Sequence, residues 1–121
     1  MRLRALVVDD DKRVLQAIAR SLRAEGFDVA TAPSGEHVSG VLQHDVFDVV
    51  LTDIWMPGGD GFFVVSEVAR LRPGLPVVMI SGLPRAREID RAKELGVVAV
   101  FAKPFDMDEL IATLRAACTR S

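Results

Sequence analysis

Short blocks of contiguous apolar residues alternate along this chain with longer stretches in which apolar positions recur every three or four residues. The blocks include Ala5-Leu6-Val7-Val8, Val49-Val50-Leu51, Val77-Val78-Met79-Ile80 and Val97-Val98-Ala99-Val100-Phe101-Ala102. This pattern predicts strands near residues 3–9, 27–31, 46–52, 76–81 and 97–102. The three-to-four spacing predicts helices near 12–25, 35–44, 61–72, 84–95 and 107–119. Strands written as unbroken valine and isoleucine runs imply burial on both faces, as in a parallel sheet. Regular strand–helix alternation implies right-handed crossovers with helices on both sides of that sheet.

Punctuation supports these elements. The first helix places Val14, Leu15, Ile18 and Leu22 on one stripe and ends at Gly26, a residue suited to a left-handed cap. The fourth ends likewise at Gly96, after Lys93 in its last turn. The fifth opens with Asp106-Met107-Asp108-Glu109, a capping-box spacing with acids where the helix dipole favours them. It then buries Leu110, Ile111, Leu114 and Cys118. Pro73 and Pro76 separate the third helix from the fourth strand.

A length of 121 residues favours one domain with a self-sufficient core. Half the residues are apolar and 26 % are charged, which places the chain among ordinary globular proteins. A formal charge of −2 provides no general attraction to nucleic acid or to anionic membranes. No apolar run approaches the ~18 residues of a membrane span. Met1-Arg2-Leu3-Arg4 leads directly into the first strand pattern, too short for a signal-peptide core. The sole cysteine, Cys118, has no partner for an internal disulfide. A cytoplasmic location is the expectation.

Chemistry enters at the strand ends. In an open parallel sheet, ligands collect outside the carboxyl ends of the strands, at the topological switch point. Asp9 and Asp10 follow the first strand run, Asp53 the third, Ser81 closes the fourth and Lys103 follows the fifth. An acid cluster, a hydroxyl and an ammonium at one sheet edge form a set suited to moving a phosphoryl group.

Asp9-Asp10, Asp53 with Met56-Pro57 and Asp60-Gly61, Ser81-Gly82, Phe101 and Lys103-Pro104-Phe105 together resemble the receiver domain of two-component response regulators. The likeness spans essentially the whole chain, in order; each motif alone is weak and the ordered set is specific. The resemblance implies a flavodoxin-like, doubly wound (βα)5 fold with a five-stranded parallel sheet in the order 2-1-3-4-5. It implies Asp53 as phosphoacceptor, receiving its phosphoryl group from a histidine kinase or a histidine phosphotransfer protein. Aspartyl phosphate chemistry is open to such a carboxylate. Three carboxylates and an incoming phosphoryl group need a divalent cation, and oxygen-only ligands suit Mg2+, with Mn2+ as a substitute. The resemblance implies direct ligation by Asp10, Asp53 and the Trp55 backbone carbonyl, with Asp9 acting through water. Lys103 and Ser81 would contact phosphoryl oxygens, and Ser81 and Phe101 would switch together, reshaping the face of helix 4, strand 5 and helix 5. Phe101 departs from the more usual tyrosine, so any bond from that hydroxyl is absent. A downstream output domain or protein and a phosphorylation-dependent homodimer fit the family, with no nucleic-acid contact by this domain. The expected behaviour is a switch that promotes its own phosphorylation and slow dephosphorylation, not a turnover enzyme.

Several residues carry competing readings. Asp11 is read as the N-cap of the first helix, not a third ligand. Trp55 either borders the phosphorylation pocket and limits water access or simply packs in its loop. Arg85, Arg87 and Arg91 form a basic side of the fourth helix, a solvated face or a partner contact. His37 and His44 lack metal-ligand spacing and receive no role. Asp9-Asp10-Asp11 also matches the Asp-x-Asp of haloacid dehalogenase-like phosphohydrolases, with Asp9 as nucleophile, although that leaves the Asp53 segment unexplained. A pseudo-receiver that binds partners without phosphorylation is the remaining alternative. Gly59-Asp60-Gly61 follows the third strand and Val64 replaces the last small residue, which excludes a dinucleotide fingerprint.

Overall fold

The computed structural model describes residues 2–118. Five strands, β1 (Arg4–Val8), β2 (Asp28–Ala32), β3 (Val49–Asp53), β4 (Val77–Ser81) and β5 (Ala99–Ala102), pair in parallel in the order β2-β1-β3-β4-β5. The helices are α1 (Lys12–Ala24), α2 (Val38–His44), α3 (Gly61–Leu71), α4 (Ala86–Glu94) and α5 (Met107–Cys118). The expected end of the fifth helix at 119 lies outside the described residues.

Successive strand residues project to opposite faces of a sheet, and two cores result. Leu6, Val8, Val50 and Met79 pack with Val38 and Leu42 of α2, Val64 and Val68 of α3, and Ala92 of α4. Ala5, Val7, Leu51 and Ile80 pack instead with Ile18 and Leu22 of α1 and Leu110 and Leu114 of α5. The inner strands β3 and β4 are buried at every residue, and β1 at all but Arg4. The edge strands β2 and β5 are only partly buried, because each has a neighbour on one side alone. Two-face burial therefore holds for the inner three strands and weakens at the rims.

Asp11 caps α1: its carboxylate accepts the N–H groups of Arg13 at 2.9 Å and Val14 at 3.4 Å. Gly26 (φ +91°) and Gly96 (φ +83°) take the left-handed conformation expected after α1 and α4. At the start of α5, the Asp106 carboxylate accepts N–H groups from Asp108 and Glu109.

Two helices differ from expectation. Residues 35–44 form a 3-10 turn, Gly35–His37, and the short α2. Gly35 and Gly40 weaken this stretch as a continuous helix. The fourth helix begins at Ala86, where the Glu88 carboxylate accepts the Arg85 N–H at 2.9 Å. Its basic side is not wholly solvated: the Arg91 guanidinium sits 4.2 Å above the Phe62 ring of α3, a favourable cation–π distance.

Candidate functional site

The pleat that separates the cores also aims the charged groups. Asp9 continues the row of Ala5 and Val7, Asp53 that of Val49 and Leu51, and Lys103 that of Ala99 and Phe101. All three emerge on the α1–α5 side of the sheet's carboxyl edge. There the Lys103 Nζ lies 2.8 Å from Asp53 Oδ2 and 3.6 Å from Asp9 Oδ2. One carboxylate oxygen from each of Asp9, Asp10 and Asp53 lies within 4.8 Å of the other two. Asp9 and Asp53 are buried, at 1 % and 7 % exposure, whereas Asp10 is exposed.

Their hydrogen bonds leave capacity unused. Asp9 Oδ1 accepts the Asp11 N–H at 2.9 Å, but Asp9 Oδ2 accepts no hydrogen bond. Asp53 Oδ1 accepts the Trp55 N–H at 3.3 Å. Ser81 belongs to the other row, following Val77 and Met79, and its buried Oγ has no hydrogen-bond partner. The β4–β5 junction holds Lys103 through its N–H, which donates to the Ser81 carbonyl at 2.8 Å, and the Lys103–Pro104 bond is cis.

Burial raises the Asp9 carboxyl above its ordinary range. The Asp11 N–H and the Lys103 ammonium oppose this, while the charges of Asp53 and Asp10 reinforce it. For Lys103, burial disfavours the ammonium, yet the hydrogen bond to Asp53 and the charges of Asp9 and Asp53 outweigh it and raise its affinity for the proton. Three carboxylates thus face one ammonium, with a buried oxygen left unbonded. An oxygen-only donor set of this kind fits a hard divalent cation such as Mg2+.

A cleft of about 490 Å³ opens beside Asp53 and is lined by Trp55, Ser81, Gly82, Leu83, Arg85 and Glu88. Trp55 borders it and is 55 % exposed, so its indole is not packed away in its loop. Leu83, Arg85 and Glu88 carry no site signal in the sequence beyond their closeness to Ser81. Phe101 is partly buried and meets Phe105 edge-on, with ring centroids 6.5 Å apart. His37 bonds Ser34 away from this cluster. Asp11 caps α1 through its carboxylate, as the sequence predicts.

A doubly wound α/β domain with an acid pocket and a lysine at its switch point defines the class. Comparison with known proteins narrows it: the response regulator receiver domain model matches residues 5–115. The chain belongs to this family, the receiver domains of two-component response regulators. It is 37 % identical over 120 residues to the transcriptional regulatory protein TcrA of Mycobacterium tuberculosis, covering 98 % of this chain and 47 % of that protein. It is 36 % identical over 118 residues to the heme response regulator HssR of Staphylococcus aureus, covering 98 % and 52 %. The chain therefore spans about half the length of these curated relatives. Among solved structures, the receiver domain of NtrX from Brucella abortus matches with a TM-score of 0.90 at 32 % identity, covering 97 % of this chain and 99 % of that one.

Proposed function

We propose that this domain is a phosphorylation-driven switch whose phosphoacceptor is Asp53. The observation that carries the reading is the placement of Lys103 Nζ at 2.8 Å from the Asp53 carboxylate, beside the unbonded oxygen of Asp9. The donor is a phosphohistidine on a histidine kinase or a histidine phosphotransfer protein. A carboxylate oxygen of Asp53 attacks phosphorus, the N–P bond breaks with its electron pair going to the ring nitrogen, and the imidazole takes its proton from solvent. Lys103 shifts its contact from Asp53 to a phosphoryl oxygen as a compact charge. Ser81 Oγ, which has no other partner, donates to a second phosphoryl oxygen. Asp10, Asp53 and the Trp55 carbonyl would hold Mg2+ or Mn2+, with Asp9 assisting from beside them. The bound cation supplies neutralisation of the charge gathered at phosphorus. The protein's own part is positioning and electrostatics.

Water later attacks phosphorus, the bond to the Asp53 oxygen breaks, and inorganic phosphate leaves the restored carboxylate, so the domain governs its own state without turning over as an enzyme. Ser81 and Phe101 transmit that state to the face formed by α4, β5 and α5. The greater length of the curated relatives supports an output domain or protein downstream, and phosphorylation-dependent pairing of two copies suits the same face. We place the exchange in the cytoplasm, without direct contact to nucleic acid or membrane. Among the described residues, no helix is long and apolar enough to cross a membrane.

Incubation with a small phosphodonor and Mg2+, read by intact mass, tests the assignment. Wild type should gain one phosphoryl group and Asp53→Asn none. Gain by Asp53→Asn but not by Asp9→Asn would assign the chemistry to Asp9, as in the phosphohydrolase reading. A folded wild type that never gains phosphate would leave a pseudo-receiver.

A further inference from the structure

The segment that leads away from the phosphoacceptor is pinned to the second crossover by backbone hydrogen bonds. A helical start leaves its first N–H groups without intrahelical acceptors, and a preceding serine is a common acceptor. Ser34 does not serve here: its hydroxyl lies 2.7 Å from His37 Nδ1, and it makes no side-chain cap bond. The N–H groups of Gly35 and Glu36 donate instead to the carbonyls of Gly59 and Gly58, each at 3.0 Å. The loop after Asp53 therefore caps the turn that begins the second helical segment.

This contact is tight. A Cβ on Gly35 would collide with the Gly59 carbonyl and stand 3.1 Å from the Phe63 ring. Gly58 and Gly59 lie at φ +75° and +114°, a region that side chains other than glycine's rarely enter. The loop's other attachment is equally close. The Gly61 N–H donates to the Ile54 carbonyl at 2.7 Å, and a Cβ on Gly61 would lie 2.6 Å from the Asp53 carbonyl oxygen. Trp55, Met56 and Pro57 are held between these two attachments, with the Trp55 N–H on Asp53 Oδ1.

We propose that Gly35 is a positioning residue for the cation site: the turn at residues 34–37 sets the path of residues 54–59, so cation binding and this two-bond clamp stabilise each other. The proposal deepens the function given above and rests on it through the Trp55 carbonyl as a cation ligand. Coupling of this kind is reciprocal. A clamp that tightens the cation must itself be tightened by the cation.

Two measurements test both directions. In wild type, hydrogen exchange at the Gly35 and Glu36 amides should slow when Mg2+ is added, while the Asp45 amide, bonded to Val41 within the end of α2, should not change. In Gly35→Ala, Mg2+ affinity followed by Trp55 emission should fall about 10-fold, the size of effect typical for groups that orient metal ligands. Circular dichroism should remain native, and phosphoryl gain should recover at saturating Mg2+. Gly40→Ala is the control: apart from its chain neighbours and the backbone of its own helix, no atom lies within 4 Å of its added Cβ, and it should leave Mg2+ affinity unchanged. If Gly35→Ala fails to fold, the wild-type exchange result decides alone. A wild type that binds Mg2+ without slowing these two amides overturns the clamp, as does a folded Gly35→Ala of unaltered affinity. A wild type that never binds Mg2+ overturns the function beneath it.

Discussion

Replacing Asp9 with asparagine should make the cation-free protein more stable while removing one acid from the cluster. At an effective dielectric near 20, the Lys103 ammonium at 3.6 Å attracts the Asp9 carboxylate by about 4–5 kcal/mol. The Asp53 carboxylate, within 4.8 Å, repels it by at least about 3–4 kcal/mol on the same scale. Exposed Asp10 adds a smaller repulsion, screened by water and salt. The charges nearly cancel, so the cost of burying an ionised group with one unbonded oxygen stands uncompensated. The amide is the same size, keeps an acceptor for the Asp11 N–H and offers a donor toward Asp53. The expected gain is about 1–3 kcal/mol, the usual penalty of a buried unsatisfied group, or roughly 4–12 °C in Tm for a chain of this length.

Urea or thermal unfolding with a chelator at pH 7 measures that gain. Asp9 binds its proton more tightly folded than unfolded. Above its ordinary value of 3.8 and up to its folded value, the native state carries more protons, so its stability falls as pH rises through that window. The advantage of Asp9→Asn should accordingly be largest at neutral pH and shrink as pH falls toward 3.8. Added Mg2+ should stabilise wild type by about 2.7 kcal/mol at roughly 100 times Kd. Asp9→Asn should gain far less, which erases or reverses the ranking. A cation-free Asp9→Asn no more stable than wild type at pH 7 would refute the claim that burial of this charge is uncompensated.

Trp55→Ala should speed loss of the phosphoryl group, because the indole borders the cleft beside Asp53; equal dephosphorylation rates would reject a shielding role. Burial and the nearby Asp48 charge push the Cys118 thiol up to about 11. Since the thiolate is the reactive form, alkylation of the native protein at neutral pH should be slow and should accelerate in urea. Rapid native labelling would contradict this.

The sheet and the charged edge were legible because both depend on local pattern. Apolar runs mark the strands, and a polar residue ending a run marks the sheet edge, so Asp9, Asp53, Ser81 and Lys103 are legible in the sequence itself. Asp11 was readable as a cap because the residues it bonds follow within one turn. What escaped depends on distant partners. The turn at residues 35–37 is capped by carbonyls more than twenty positions away. Likewise, the sequence leaves Arg91 on a solvated face or a partner contact, because nothing local reveals the Phe62 ring beneath it. Leu83 and Arg85 join the cleft through a loop that has no periodicity to read, and Glu88 through the first turn of α4 that this loop positions.

The two hydrophobic layers of this domain are divided by the sheet, and the rows of Asp53 and Ser81 belong to opposite sides of that wall. A group grasped by Lys103 from one side and by Ser81 from the other would span the partition at its rim. Binding there would pull on both halves of the molecule at once, so a chemical change on a single side chain need not cross the interior to reach α4 or α5.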